Sequence, residues 1–169
     1  MNGVRTTVSV DEYLHTAYHP DCDYVDGAVE YRNVGEKDHN KVQRALLIYL
    51  HLRRDEFGIF VIQEQRLCLG PDRYRVPGIC VVWGPEPDAQ IFTQPPFLCI
   101  EILLPEDRMS RMQERIADYL AFGVRYVWVI DPQTRRAWIY TADSIHEVRD
   151  GILRTQSPDI EVSLASLFE

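Results

Sequence analysis

At 169 residues the chain has room for one domain with a sizeable core, and its 46% hydrophobic and 26% charged residues are those of an ordinary soluble globular protein. A formal net charge of −8 argues against broad electrostatic attraction to nucleic acid, while leaving room for a local basic groove. Cys22, Cys68, Cys80 and Cys99 form no C-x-x-C pair and three lie in strand-like apolar runs, so buried free thiols are expected rather than a zinc site. No charged-then-apolar leader and no apolar run long enough to span a membrane is present, so no membrane partner is expected and a reducing cytoplasm is the expected compartment.

Met1 to Val8 are expected to be frayed. Ser9 and Glu12 have capping-box spacing, predicting a short helix that ends before Pro20. Tyr24 to Tyr31 contains Asp26-Gly27, a strong two-residue hairpin signal. Asp38 is placed to cap the next helix, with Val42, Ala45, Leu46 and Tyr49 as its core stripe. Ile59 to Leu69 and Tyr74 to Trp83 read as two strands joined by a tight turn over Gly70 to Arg73. Gly84 to Pro96 reads as a proline-punctuated loop, and Phe97 to Leu104 as a strand. Arg108 to Phe122 is predicted helical, its stripe being Met109, Met112, Ile116, Tyr119 and Leu120, with Gly123 as the stop. Arg125 to Ile130 follows as a strand. Its connection through a helix implies parallel pairing with the strand before it. Ala137 to Tyr140, Ile145 to Val148 and Ile152 to Thr155 are short strands, the last two joined by Asp150-Gly151. The result is one α/β domain over residues 1–169, a mixed sheet flanked by helices.

Glu101 is the first residue to examine for chemistry. It is the lone carboxylate in Phe97-Leu-Cys-Ile-Glu-Ile-Leu-Leu104, a run that reads as a strand covered on both faces. An ionised group there is costly unless it binds a metal, pairs with a cation or lines a cleft. The expectation is a Glu101 that lines an accessible cleft, its oxygens open to solvent or within reach of Arg115 or His39.

Around Glu101 the chain resembles the putative restriction endonuclease family of the PD-(D/E)XK nuclease superfamily, a bacterial group. The resemblance runs through Ser9-Val-Asp-Glu-Tyr-Leu14, Asp23-Tyr-Val-Asp-Gly27, His39, Arg75-Val-Pro-Gly-Ile79, the Pro96 to Leu103 strand, Tyr119 to Pro132, and Val162 to Phe168. It implies a PD-(D/E)XK core and hydrolysis of DNA phosphodiesters with Mg²⁺ or Mn²⁺. It also implies DNA as a partner and a homodimer. His39 is expected to point toward the cleft, and Asp23 stands where relatives carry a glutamate.

Two departures fall on the chemistry. Where the family pattern Arg-x-Pro-Asp carries its metal-binding aspartate, this chain has Gly78; where the family carries its lysine, this chain has Arg115. Arginine keeps positive charge and can hold a phosphate through two parallel hydrogen bonds. It cannot act as a base, because its pKa stays above about 12. One carboxylate is a poor cage for Mg²⁺, so activity is expected to be absent or much reduced, and metal binding weak or lost.

Two acids could restore a ligand. If Gly70 pairs with Arg73, Gly78 falls opposite Gln65, and a bulge or one-residue shift would bring Glu64 level with it. Asp23 is the other candidate. Arg108, Arg111 and Arg115 recur on one helix face, which offers a nucleic-acid contact or a solvated face. The alternative to an impaired nuclease is a non-catalytic module that binds nucleic acid or protein. An aspartate placed at Gly78 is expected to fit.

Overall fold

The computed structural model describes residues 7–169. The expected frayed start lies outside that range except for Thr7 and Val8, and these two are tied down. Thr7 bridges to Ala28, and the Val8 N–H donates to the Gly27 carbonyl at 2.9 Å.

Helix α1, Val10–Leu14, starts as expected, with the Ser9 hydroxyl accepting from the Glu12 N–H at 3.0 Å. Strands β1, Asp23–Val25, and β2, Ala28–Glu30, form the hairpin around Asp26 and Gly27. Both turn residues have positive φ, 50° and 84°, the combination that suits the twist of a two-residue hairpin. Helix α2, Lys37–Leu52, buries Val42, Leu46 and Leu50. Asp38 is not its cap: Glu36 holds that position without a side-chain hydrogen bond, and Asp38 sits in the first turn, where negative charge favours the helix dipole. A short α3, Arg54–Phe57, had no sequence expectation.

The two long strands expected next are each broken in the middle. The first divides into β3, Ile59–Gln63, and β4, Leu67–Gly70; the second into β5, Arg73–Arg75, and β6, Ile79–Trp83. At the breaks stand Glu64, with a φ of 49°, and Val76-Pro77-Gly78, where proline has no N–H for a ladder. Each chain crosses there from one sheet to another. Strands β4 and β5 join the hairpin in the order β2-β1-β5-β4. Strands β3 and β6 join the main sheet, which continues through β7, Leu98–Ile102, β8, Tyr126–Asp131, β9, Arg136–Tyr140, and β10, Ile145–Glu147. Helix α4, Met109–Phe122, links β7 to β8, which pair in parallel as expected. Gly123, at φ 113°, ends it.

One pairing differs. Strand β11, Ile152–Arg154, does not form a hairpin with β10; it pairs with β12, Glu161–Ser163, as a separate two-stranded sheet. A 3₁₀ turn over Ala165–Phe168 follows and packs on α2.

The period-two alternation of the main sheet sorts its side chains onto two sides. Ile79, Val81, Leu98, Ile100, Trp128 and Ile130 pack with the buried face of α2. Cys80, Cys99, Val127 and Val129 pack with Met112, Ile116 and Tyr119 of α4. Parity therefore sends Glu101, like Cys99, toward α4. Met109, expected in the α4 stripe, is instead 60% exposed at the helix start.

Candidate functional site

Glu101 is the penultimate residue of β7, with 1% of its surface exposed. From α4, one turn apart, come Arg115 and Tyr119. The Tyr119 hydroxyl donates to Glu101 Oε1 at 2.6 Å. Glu101 Oε2 accepts from Arg32 Nη2 at 3.1 Å and has Arg115 Nη1 at 3.7 Å. Burial and the neighbouring Glu101 hold the Tyr119 hydroxyl well above its ordinary pKa, so it stays a donor. Burial would lower the Arg115 pKa, but Glu101 and Asp23 outweigh it and raise it well above the ordinary value.

Asp23, at the start of β1, is equally enclosed, at 1% exposure. Its Oδ1 accepts the Val76 N–H at 2.9 Å; its Oδ2 accepts from Arg115 Nε at 2.9 Å and Arg75 Nη1 at 3.1 Å. Burial alone would raise this carboxyl's pKa; Arg115, Arg32 and Arg75 reverse the effect and lower it. Arg75 is itself 1% exposed and shared among Asp23, Glu30, Asp118 and Glu114. The hairpin sheet and the main sheet are thus joined by a buried lattice of arginines and carboxylates.

Arg115 does stand within reach of Glu101, but the expectation that Glu101 would line an accessible cleft needs correction. A cleft is present, about 500 Å³ in volume, but Glu101 does not line it. Arg32 and Arg115, 18% and 12% exposed, cover the carboxylate and form the cleft floor themselves. His39, Glu64, Gly78, Asp23, Arg108 and Arg111 all contribute to the same lining. His39 makes no hydrogen bond to Glu101 among the described residues; its Nδ1 lies 3.2 Å from Asn40 Oδ1.

Gly78 falls where the sequence argument needs it. The β6–β7 register pairs Ile79 with Ile100, and one further step places Gly78 beside Glu101. The β4–β5 ladder carries a one-residue shift between Cys68 and Gly70, and the Glu64 N–H donates to the Gly78 carbonyl at 3.1 Å. Glu64, just past the end of β3, and Gly78, just before β6, therefore stand level with Glu101 of β7. Yet Glu64 is exposed, and its left-handed backbone breaks the alternation that would have aligned its side chain with Ile62 and Arg66. Space at Gly78 is tight: a Cβ there would lie 3.2 Å from the Ile100 carbonyl oxygen, so an added side chain does not fit without a small shift.

Arg32, Arg75 and Tyr119 escaped the sequence reading as site residues. Tyr119 had a signal, four residues after Arg115 on the same helix face, but read equally well as apolar stripe. Arg75 stood inside a recognised motif. Arg32 follows the hairpin outside any periodic pattern, and nothing in the sequence ties it to Glu101, 69 positions away.

Residues 10–166 match the family described as "Putative restriction endonuclease" (Uma2). The chain belongs to this family. A solved structure from Anabaena variabilis, described as a putative nuclease belonging to DUF820, is similar over 95% of this chain and 97% of its own, with a TM-score of 0.82 and 22% identity. No curated protein matches the chain. The fold is the PD-(D/E)XK restriction-endonuclease-like core, a mixed sheet flanked by helices.

This family implies a hard divalent cation held by carboxylate oxygens. The side chains present do not fit one. All four oxygens of Glu101 and Asp23 are engaged by donors of the chain, and Gly78 offers no ligand. Among the described residues, no group of three or more His, Cys, Asp or Glu side chains converges on a common point. A metal ion at Glu101 would have to displace a guanidinium that already neutralises it.

Proposed function

We propose that this chain keeps the phosphodiester-binding cleft of a DNA nuclease but has lost metal-dependent hydrolysis, or retains very little of it. One observation carries the reading: the guanidinium groups of Arg32 and Arg115 stand against Glu101, where the family's chemistry calls for a divalent cation. Fixed cations can bind and polarise a phosphate. They cannot generate a hydroxide nucleophile, because an arginine side chain is not a base near neutral pH. Binding survives this exchange of cation for metal; proton transfer does not. Arg108 and Arg111 support a binding role, being exposed at the cleft and making no ion pair among the described residues.

A second reading is an active nuclease in which Glu64 supplies the missing ligand. Its support is the register that brings Glu64 level with Gly78. Supercoiled-plasmid nicking in Mg²⁺ and in Mn²⁺ separates the two. The proposal expects no nicking above that of a Glu101→Ala control. Nicking that disappears in both Glu101→Ala and Glu64→Ala would establish the second reading. Binding of duplex DNA in EDTA, followed by anisotropy, then tests whether the cleft still receives nucleic acid.

A further inference from the structure

Arg32 does two things that a divalent cation would do in this fold. It neutralises the strand carboxylate, donating from Nη2 to Glu101 Oε2 at 3.1 Å, and it presents the rest of its head to the cleft. Its Nη1 is anchored on the Val76 carbonyl. A guanidinium has five N–H groups. Among the described residues Arg32 uses two, leaving three on a head that is mostly enclosed and lines the cleft. Arg115 lies beside it with its Nε on Asp23 and both of its terminal nitrogens free of hydrogen bonds among the described residues.

Both heads are held by buried carboxylates, so they need little reordering to receive a ligand. A partly desolvated, fork-shaped donor pair suits a tetrahedral oxyanion. We infer that Arg32 is a resident cation that has taken the metal's place, forming with Arg115 a metal-independent site for one phosphate group at the cleft floor. The inference rests on the cleft's being read as a phosphodiester site, and adds which residue holds the phosphate and why chelators leave it intact.

The probe is inorganic phosphate, titrated calorimetrically into the full chain in EDTA at constant ionic strength. Wild type is expected to bind with EDTA present. Arg32→Gln keeps an amide donor but removes the charge, and is expected to weaken binding by about tenfold or more, the loss of one charge-assisted hydrogen bond. Arg111→Ala, at the cleft mouth, is expected to weaken it by less than about threefold. Arg32→Lys keeps a charge beside Glu101 if the glutamine variant does not fold, and is expected to bind phosphate more weakly than wild type. Unchanged affinity in a folded Arg32 variant overturns the inference. So does loss of binding on Arg111→Ala alone, which would mean that only surface arginines attract the anion, and so does a wild type that binds phosphate only after Mn²⁺ is added. DNA binding that persists undiminished in Arg32→Gln defeats this inference while leaving the binding reading intact. Arg32-dependent phosphate binding without DNA binding does the reverse.

Discussion

Glu101 and Asp23 are buried carboxylates whose cost is met entirely by neighbours, so removing either group exposes what it was compensating. Glu101→Ala would leave Arg32 and the enclosed Arg115 facing an apolar gap, and Tyr119 without its acceptor. We expect a loss of about 3–5 kcal/mol in denaturant unfolding, the usual cost of breaking a buried pair from one side, with Glu101→Gln losing less because it still accepts from Tyr119. Asp23 carries a pH signature. Its folded pKa is lowered, so its contribution is fully present above the unfolded value of about 3.9 and is lost as pH falls toward the folded value. Melting temperatures of wild type and Asp23→Asn should therefore differ most near neutrality and converge as the pH drops below about 4. A constant gap down to acid would mean that Asp23 is not held ionised by its arginines. At this scale the sequence exposed Glu101, because one carboxylate in an apolar run is conspicuous. It concealed Arg32, because an arginine in irregular chain looks like any solvated arginine.

The elements explain why the site was only half legible. Helix α4, the hairpin at Asp26-Gly27 and the parallel β7–β8 pair announce themselves through local periodicity and turn chemistry. The breaks in β3–β4 and β5–β6 do not, because an apolar run reads the same whether a strand stays in one sheet or crosses to another. Those crossings, at Glu64 and at Pro77-Gly78, frame the cleft. The β11–β12 pairing was hidden for a related reason: Asp150-Gly151 is turn chemistry, but it does not say which strand follows it into pairing. The crossing at Gly78 is close-packed, and this gives a prediction. Gly78→Ala brings a Cβ to 3.2 Å from the Ile100 carbonyl oxygen and should cost about 1–3 kcal/mol, the usual range for overpacking. The check is the urea midpoint at unchanged slope. A variant as stable as wild type would mean that the β6–β7 backbone yields at this point, and an aspartate there would then meet no steric obstacle.

Across the whole molecule, the charge of −8 works against nucleic acid, and the cleft itself mixes Arg32, Arg108, Arg111 and Arg115 with carboxylates such as Asp21, Glu106 and Asp107. The net charge governs long-range encounter and the cleft governs short-range contact, and salt separates them, since the screening length is about 10 Å at 0.1 M. Inside the cleft, Arg32 and Arg115 spend their charge largely on Glu101 and Asp23. Arg108 and Arg111 have no such partners among the described residues and are the groups able to neutralise additional phosphates. The slope of log affinity against log salt for duplex DNA should therefore be shallow, with a magnitude of about 2–4, each neutralised phosphate adding about 0.9. Arg108→Ala and Arg111→Ala should each flatten it by about 0.9, while Asp21→Ala, which removes an acid from the same cleft, should raise affinity without steepening the slope by a whole contact. Anisotropy titrations in EDTA at several salt concentrations measure all three. A slope unchanged by either arginine variant would place the DNA elsewhere on the surface, and the cleft would then have to be understood as a site for a small oxyanion rather than a polynucleotide.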